Sequence, residues 1–375
     1  MDRIFPGREN NRRSRQLNSG RFGQLVQRFA LVGYVAAMML ACDGSEEMPE
    51  SNPSPTPPPT SECPVVDTVN YCGNTCRGYP SLTDLGTQLW RGRQGGLYSG
   101  GQNTRPDAHT NAALALAAQI EPLDINGSSD PVQGKIVFIS MGMSNTSMEF
   151  GKFIDAFNVL PNRNPQLAVV NCAQAGWEIN NFLDSTTSAL YWRNIDTLLA
   201  SQGLGYQQVQ IMWYKQAELG PEFLAPDTSF SGYVAYLKEK FKQQMNILTE
   251  KFPNVKLCYV SNRIYAGYST DPGNPEPFAY YVGWTLKDLI EDQINGDPGL
   301  IYDGPGKNSP LLSWGPDLWA DGLSSRSDGL VWVCPDDFTS DGRHPSNPTG
   351  RVKVATLLLD YLLNDETAVS WLLEN

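Results

Sequence analysis

Histidine is scarce in this chain, since only His109 and His344 occur among 375 residues. If an imidazole acts as a base here, one of these two residues must supply it. Long apolar runs are also missing: the uncharged stretch 29–41 is shorter than the roughly 20 residues that span a bilayer. Basic residues are few beyond residue 41, where 21 Lys and Arg face 38 Asp and Glu, a net charge of −17. We therefore expect no nucleic-acid partner.

The N-terminal residues have the outline of an export signal. Seven arginines lie within residues 1–28, the uncharged run 29–41 follows, and small Ala41 precedes Cys42. A run of this length suits the apolar part of a secretory signal, which is roughly 7–15 residues long. Ala41-Cys42 resembles a bacterial lipoprotein cleavage site, which implies a lipidated Cys42 and a place in the cell envelope, anchored to a membrane. Ordinary secretion to the periplasm or medium, or a retained anchor, are the alternatives to this export signal over 1–41.

A Pro-rich segment over 42–62 follows the signal. Residues 44–62 hold six prolines among Ser, Thr, Glu and Asn, a composition that cannot build a core and favours extended backbone. We predict a lipoprotein-type linker that leads to a folded domain over 63–375, whose first part, 63–104, is a Cys-bearing and Gly-rich lead-in. A disordered tail without an anchoring role is the alternative.

Six cysteines remain once Cys42 is set aside. An even number in an exported chain predicts disulfides, but does not decide among the 15 possible pairings. These residues are Cys63, Cys72, Cys76, Cys172, Cys258 and Cys334. Their spacing is not a metal-ligand pattern and no histidine lies near 72–76, so we expect neither a metal site nor a cofactor.

Short apolar runs alternate with helical patterns in the folded part. Nearly continuous apolar runs predict strands buried on both faces, at 135–141, 167–171, 209–213 and 255–260. Helical patterns occupy 147–157, 188–202, 231–251, 279–295 and 349–363. This order predicts a three-layer α/β/α sandwich with a mainly parallel central sheet. Ligands bind beyond the carboxyl ends of the strands in such sheets.

Polar residues follow these carboxyl ends. Ser144 comes after the first strand at a predicted helix start, where backbone amides could receive negative charge, although it could also merely cap the helix. Gly176 after the second strand could lend an amide or make a turn, and Gln216 follows the third strand. Asp341 lies three residues before His344 and can orient its ring, although Asp-Gly is also an ordinary turn signal. The convergence of these residues predicts a site at one edge of the sheet.

The order of these blocks resembles that of the SGNH, or GDSL-type, hydrolases. The resemblance covers roughly 134–363, and its last block, DGRHPS, is the most specific part. It implies a flavodoxin-like SGNH hydrolase fold with Ser144 as nucleophile and backbone oxyanion donor. It also implies Gly176 as a second oxyanion donor, and Asp341 with His344 as the Asp-x-x-His block.

Two departures from the common motif resemble one branch of that family. Met143 stands where Gly-Asp-Ser has Asp, and the block 213–218 lacks the usual Asn. Gly-x-Ser-Asn followed by Gln-x-Glu resembles the sialate O-acetylesterase and acetylxylan esterase branch, whose members remove acetyl groups from sugars. That resemblance implies Gln216 as the side-chain oxyanion donor and Glu218 as its support. Lys215 remains the alternative donor because the block is displaced by one residue.

Three further residues are candidates for substrate binding. Asn145 follows the nucleophile, Arg105 could recognise a carboxylate, and Trp177 could stack on a sugar ring. Core packing is the favoured interpretation for the tryptophans, which also include Trp213, Trp314, Trp319 and Trp332. His109 precedes an apolar helical run, which favours a helix-start or core histidine over a ligand.

These features predict an exported serine esterase that hydrolyses an O-acyl, in the first place O-acetyl, ester on a carbohydrate through an acyl-enzyme. An acyltransferase or a lipid esterase with the same triad is the alternative enzyme. A non-catalytic glycan-binding surface lipoprotein is the alternative from another class. The expected partners are an acylated carbohydrate and, through Cys42, a membrane.

Overall fold

Five parallel strands form the centre of the computed structural model, which describes residues 63–64, 72–73, 75–269 and 271–374. The strands are β3 (Ile136–Gly142), β4 (Leu167–Val170), β5 (Val209–Lys215), β6 (Leu257–Val260) and β7 (Leu311–Trp314). The order across the sheet is β4-β3-β5-β6-β7, and every neighbouring pair is parallel. A separate antiparallel pair consists of β1 (Leu89–Trp90) and β2 (Arg93–Gln94). The predictions of an export signal, a linker and a lipidated Cys42 lie outside the described residues.

Helices connect the strands. They are α1 (Leu82–Leu85), α2 (Asp107–Ala117), α3 (Ser144–Asn158), α4 (Ile179–Leu183), α5 (Ser185–Ser201), α6 (Pro221–Leu224), α7 (Phe230–Lys251), α8 (Phe278–Ile294), α9 (Gly350–Asn364) and α10 (Val369–Leu372). In the ranges that the structure describes, no helix combines the length and the apolarity that a membrane crossing requires.

The direction of the crossovers divides the helices between the two faces of the sheet. The chain moves from β3 to β4 in one direction and then from β5 through β7 in the other. Because parallel crossovers are right-handed, this reversal places α3 and α9 on one face and α5, α7 and α8 on the other. α3 packs against α9, and α7 packs against α8. The three-layer α/β/α prediction is therefore confirmed, and the strand order is the flavodoxin-like one.

Burial explains why the strands of this sheet could be predicted from apolar runs in the sequence. All seven residues of β3 and all seven of β5 are buried, as continuous apolar character predicts for strands covered on both faces. The four predicted strands and five helices are confirmed, with ends that move by a few residues. β7 was not predicted because its short apolar run lies within a Gly- and Pro-rich stretch.

Two disulfides join the lead-in to itself and to the C-terminal part of the domain. Cys63 is bonded to Cys76, and Cys72 is bonded to Cys334. The expectation of disulfides is thus confirmed, but not for all six cysteines. Two are buried free thiols, Cys172 and Cys258. Cys172 lies just beyond β4 and Cys258 lies on β6, and these two strands are not neighbours in the sheet.

Candidate active site

A glycine allows the chain to turn sharply from β3 into α3. Gly142 has φ +153°, and a Cβ atom there would lie 2.0 Å from the carbonyl oxygen of Lys215. The same carbonyl accepts a hydrogen bond from Thr146 Oγ1 at 2.6 Å. Only glycine fits between the two strands at this point. Ser144 is consequently the first residue of α3, at the carboxyl edge of the sheet where the strand order reverses.

Ser144, His344 and Asp341 are connected in line. Ser144 Oγ lies 2.8 Å from His344 Nε2, and His344 Nδ1 contacts Asp341 Oδ2. The two residues that meet at the first contact are 200 positions apart in the sequence. With Nδ1–H donating to the carboxylate, Nε2 is free to accept the hydroxyl proton of Ser144. This arrangement can activate a serine nucleophile.

The Asp341 carboxylate is held by several donors. Oδ1 accepts hydrogen bonds from Thr339 Oγ1 at 2.6 Å and from the N–H groups of Arg343 and His344 at 3.0 Å each. Burial alone would raise the pKa of Asp341, but these hydrogen bonds and that from the His344 ring hold it well below its usual range. The carboxylate is therefore ionised wherever the imidazole can act as a base.

Backbone amides beside Ser144 form a candidate oxyanion site. Ser144 is at the first position of α3, where N–H groups have no acceptor within the helix. Gly176 has φ +82° and lines the same cavity as Ser144. Among the described residues, no acceptor is bonded to the Gly176 N–H. Both amides are thus available for a developing negative charge.

Gln216 does not line this cavity. Its Nε2 donates to the carbonyl oxygen of Trp177 at 3.0 Å, and its Oε1 accepts from the N–H of Ala217 at 3.0 Å. The side chain instead connects the loops after β4 and β5. The geometry therefore does not favour Gln216 as an oxyanion donor, contrary to the sequence-based expectation.

Lys215, the alternative donor, faces away from the cavity. Its Nζ donates to both carboxylate oxygens of Glu149 at 2.6 Å each, and both side chains are fully buried. Burial lowers the pKa of Lys215 to about 8, although Glu149 raises it. Burial likewise raises the pKa of the Glu149 carboxyl. This buried ion pair connects α3 to β5.

Asn145 connects α3, which begins at Ser144, to the loop that carries His344. It is 1% exposed, and its Nδ2 donates to the carbonyl oxygen of Arg343 at 3.1 Å. Because Arg343 directly precedes His344, this bond holds the imidazole against Ser144. The structure thus gives Asn145 a positioning contact, and the side chain also lines the cavity.

The cavity beside the triad has a volume of about 150 Å³. Most of the lining side chains are polar or charged; the residues are Met143, Ser144, Asn145, Gly176, Glu178, Glu218, Leu219, Arg263, Gly273, Asn274, Arg343 and His344. Arg263 and Asn274 were not predicted. Arg263 follows β6 by three residues, so reading the end of the fourth predicted strand would have found it.

The remaining candidates lie apart from this cavity. Arg105 lines a different one and is ion-paired with Asp365 at 2.6 Å, so it is not placed to bind a substrate at Ser144. Trp177 is half-buried and packs against Tyr191, with ring centroids 5.3 Å apart. His109 is a buried residue whose Nε2 lies 2.7 Å from the Leu312 carbonyl oxygen, as expected for a core histidine. The four other tryptophans for which core packing was expected are buried: Trp213, Trp314, Trp319 and Trp332.

The described part of the chain contains no group of three or more His, Cys, Asp or Glu side chains that could hold a metal ion.

Comparison with solved structures finds similar folds among esterases and lipases. A protein described as a GDSL-like lipase, from Parabacteroides merdae, is 14% identical with a TM-score of 0.36, over 64% of this chain and 97% of that one. A mutant of the acetylxylan esterase Axe2 from Geobacillus stearothermophilus is 13% identical with a TM-score of 0.34, over 64% and 97%. A protein from Arabidopsis thaliana is 15% identical with a TM-score of 0.31, over 57% and 67%.

The chain is thus similar to a structure described as a GDSL-like lipase and to one of an acetylxylan esterase. No protein-family model matches the sequence, and the comparison with curated proteins finds no match. At these identities no residue role is transferred from the similar structures.

Proposed function

We propose that this protein is an SGNH-type serine esterase that hydrolyses a short O-acyl ester, in the first place an O-acetyl ester, on a carbohydrate. The observation that carries the proposal is the distance of 2.8 Å between Ser144 Oγ and His344 Nε2, with Asp341 against the other ring nitrogen. A serine that merely caps a helix would not need this contact with a distant histidine.

In the first half-reaction, Ser144 Oγ attacks the carbonyl carbon of the ester while its proton moves to His344 Nε2. The carbonyl oxygen becomes an oxyanion, which the N–H groups of Ser144 and Gly176 stabilise. The tetrahedral intermediate then breaks its bond to the alcohol oxygen. That oxygen takes the proton from His344, and the acyl group stays on Ser144.

In the second half-reaction, water replaces the alcohol. His344 takes a proton from water as its oxygen attacks the acyl carbon, and the same amides stabilise the second oxyanion. The ester bond to Ser144 breaks, and the serine oxygen recovers a proton from His344. The products are a carboxylic acid and the regenerated enzyme.

The size and lining of the cavity favour an ester that has a short acyl group and a polar alcohol. A volume of about 150 Å³ is small compared with the roughly 300–1,000 Å³ of sites that enclose drug-sized ligands. Among its lining side chains, only those of Met143 and Leu219 are apolar. The polar side chains can exchange hydrogen bonds with sugar hydroxyls, and the small volume leaves little room for a lipid chain. This favours a carbohydrate ester over the alternative of a lipid ester.

The disulfides indicate the cellular compartment of the protein. Cys63–Cys76 and Cys72–Cys334 are typical of an extracellular or periplasmic protein, because cytosolic thiols are kept reduced. Export to the cell envelope by the signal at 1–41, with a tether through lipidated Cys42, is part of the proposal. Retention of radiolabelled palmitate by the wild-type protein, and its loss in Cys42→Ser, would test the anchor.

Turnover of 4-nitrophenyl acetate, and release of acetate from acetylated xylo-oligosaccharides, test the esterase directly. We expect Ser144→Ala and His344→Ala to lower kcat by about 10³-fold or more, since each removes one member of the triad. Ser201→Ala, on the exposed end of α5, is a matched control that should keep full activity. Undiminished hydrolysis by Ser144→Ala would contradict the proposal. Transfer of acetyl to a second sugar in place of release to water would identify the acyltransferase alternative.

A further inference from the structure

Arg263 lines the cavity beside Ser144, and two nitrogens of its guanidinium are buried without a hydrogen-bond partner among the described residues. The residue is 2% exposed and follows β6 at the carboxyl edge of the sheet. Among the described residues, Nη1 donates a single hydrogen bond, to the sulfur of Met143 at 3.6 Å, which is a weak acceptor. Nε and Nη2 have no hydrogen-bond partner among the described residues. A buried guanidinium left in this state is costly unless a ligand completes it.

The two free donors belong to one edge of the guanidinium. Nε–H and one N–H of Nη2 point in nearly parallel directions, at the spacing of the two oxygens of a carboxylate. A single carbonyl or hydroxyl oxygen can satisfy only part of this edge. The free edge of Arg263 therefore matches a planar two-oxygen anion better than it matches a neutral sugar hydroxyl.

Neighbouring charges do not neutralise Arg263. Glu149 is the carboxylate that interacts with it most strongly, but both Glu149 oxygens already accept hydrogen bonds from Lys215 Nζ at 2.6 Å. Burial lowers the pKa of Arg263 to about 10, so it remains a cation at neutral pH. The buried group of Glu149, Lys215 and Arg263 thus holds one positive charge in excess, next to the nucleophile.

Two carboxylates also line the cavity, and their bonding defines what else a ligand must offer. Glu178 is occupied by backbone donors, including the N–H groups of Asn181 at 2.8 Å and Leu219 at 3.2 Å. Glu218 Oε1 accepts from Lys240 Nζ at 2.7 Å and from two other donors. Glu218 Oε2 is buried and has no partner among the described residues. A ligand that fits therefore carries a hydroxyl donor as well as an anion.

We propose that Arg263 binds a carboxylate on the sugar of the substrate, while Glu218 Oε2 accepts a hydrogen bond from one of its hydroxyls. The substrate class is then an acylated sugar acid, such as an O-acetylated uronic acid. This inference rests on the proposed esterase function, since the same cavity holds the triad. It makes Arg263 a determinant of substrate specificity, acting on a part of the substrate that does not react.

The test compares a mono-acetylated methyl glucuronide with its uncharged carboxamide, which has nearly the same shape. For the wild-type protein we expect kcat/KM to be about tenfold or more higher for the acid, mainly through a lower KM, because a bidentate charged pair replaces a neutral contact. Equal values of kcat/KM for acid and carboxamide would overturn the inference. Since this comparison uses the wild-type protein, it does not depend on the folding of a variant.

Variants assign the preference to Arg263. Arg263→Gln should bring the acid-to-carboxamide ratio of kcat/KM close to 1, whereas Arg263→Lys, which restores the charge without the two-donor edge, should recover part of it. Arg193→Gln, an exposed arginine on α5, is the matched control and should keep the wild-type ratio. A folded Arg263→Gln protein, checked by thermal unfolding, with an unchanged ratio would also overturn the inference.

The outcomes separate this inference from the function on which it rests. If no ester is hydrolysed, the proposed esterase function itself is wrong. If esters are hydrolysed without preference for the acid, only the role of Arg263 is wrong. A preference limited to a succinyl ester of a neutral sugar would place the carboxylate in the acyl group and contradict an acidic sugar.

Discussion

Replacing Asp341 by Asn separates the chemical role of this carboxylate from its structural role. Oδ1 accepts from Thr339 Oγ1 and from the N–H groups of Arg343 and His344, whereas Oδ2 faces His344 Nδ1. An Asn side chain can keep Oδ1 as the acceptor of those three bonds. Its NH₂ group, however, would donate to Nδ1 where the carboxylate accepts. The proton of the ring then lies on Nε2, which can no longer take the proton of Ser144.

The bonds at Asp341 allow both effects to be estimated. Because three of four hydrogen bonds can survive in Asp341→Asn, we expect the free energy of unfolding to fall by only about 1–2 kcal/mol. The wrong tautomer should lower kcat by about 10⁴-fold, which corresponds to about 5.5 kcal/mol in the activation barrier. Asp341→Ala removes all four bonds and should be the less stable of the two variants.

The assay measures kcat with 4-nitrophenyl acetate and urea unfolding on the same preparations. Asp360→Asn, on the exposed side of α9, is the matched control and should change neither quantity. A folded Asp341→Asn protein with kcat within threefold of the wild type would refute the idea that Asp341 orients the imidazole. An activity loss explained wholly by unfolded protein would refute the separation of the two roles.

Three further predictions concern the support of the site. Gly142→Ala should destabilise the fold by several kcal/mol in urea unfolding, since its Cβ would lie 2.0 Å from the Lys215 carbonyl oxygen. Gly151→Ala, inside α3 with its nearest atom 3.9 Å away, is the contrast and should stabilise the fold by about 0.5–1 kcal/mol, because alanine favours a helix interior. Glu149→Gln should cost about 3–5 kcal/mol because it leaves the Lys215 charge buried and unpaired, and Glu149→Gln combined with Lys215→Met should recover part of that loss. Burial raises the pKa of Glu276 from its ordinary 4.5 to about 7, so the stability from its protonated form is full below pH 4.5 and is lost as the pH rises through 7. Unfolding free energies measured at pH 5 and pH 8 should therefore differ less in Glu276→Gln than in the wild type, and an equal difference would contradict this assignment.

The parallel sheet and the positions of the triad residues could be predicted because both follow from short-range patterns. Continuous apolar runs predict doubly covered strands, and residues at their carboxyl ends must meet at one edge of the sheet. Ser144 and His344 were singled out in this way, and the structure brings their reactive atoms within hydrogen-bond distance. Their catalytic roles remain predictions.

The side-chain donors of the site were harder to predict because they depend on how loops pack. Gln216 lies at the expected position after β5, yet its amide is used by the Trp177 carbonyl of a neighbouring loop. Arg105 is likewise engaged, in an ion pair with Asp365. Arg263 lies beyond β6, and the proposal that it binds a ligand rests on its burial without partners, which no local sequence pattern encodes.

Labelling with a fluorophosphonate probe, followed by peptide mass spectrometry, tests the central claim most directly. The probe reacts only with a serine whose hydroxyl is activated by a base, so we predict a single adduct on Ser144 that is strongly reduced in His344→Ala. An unlabelled wild-type protein, or an adduct on another serine, would contradict the assignment of Ser144 as the nucleophile of an esterase.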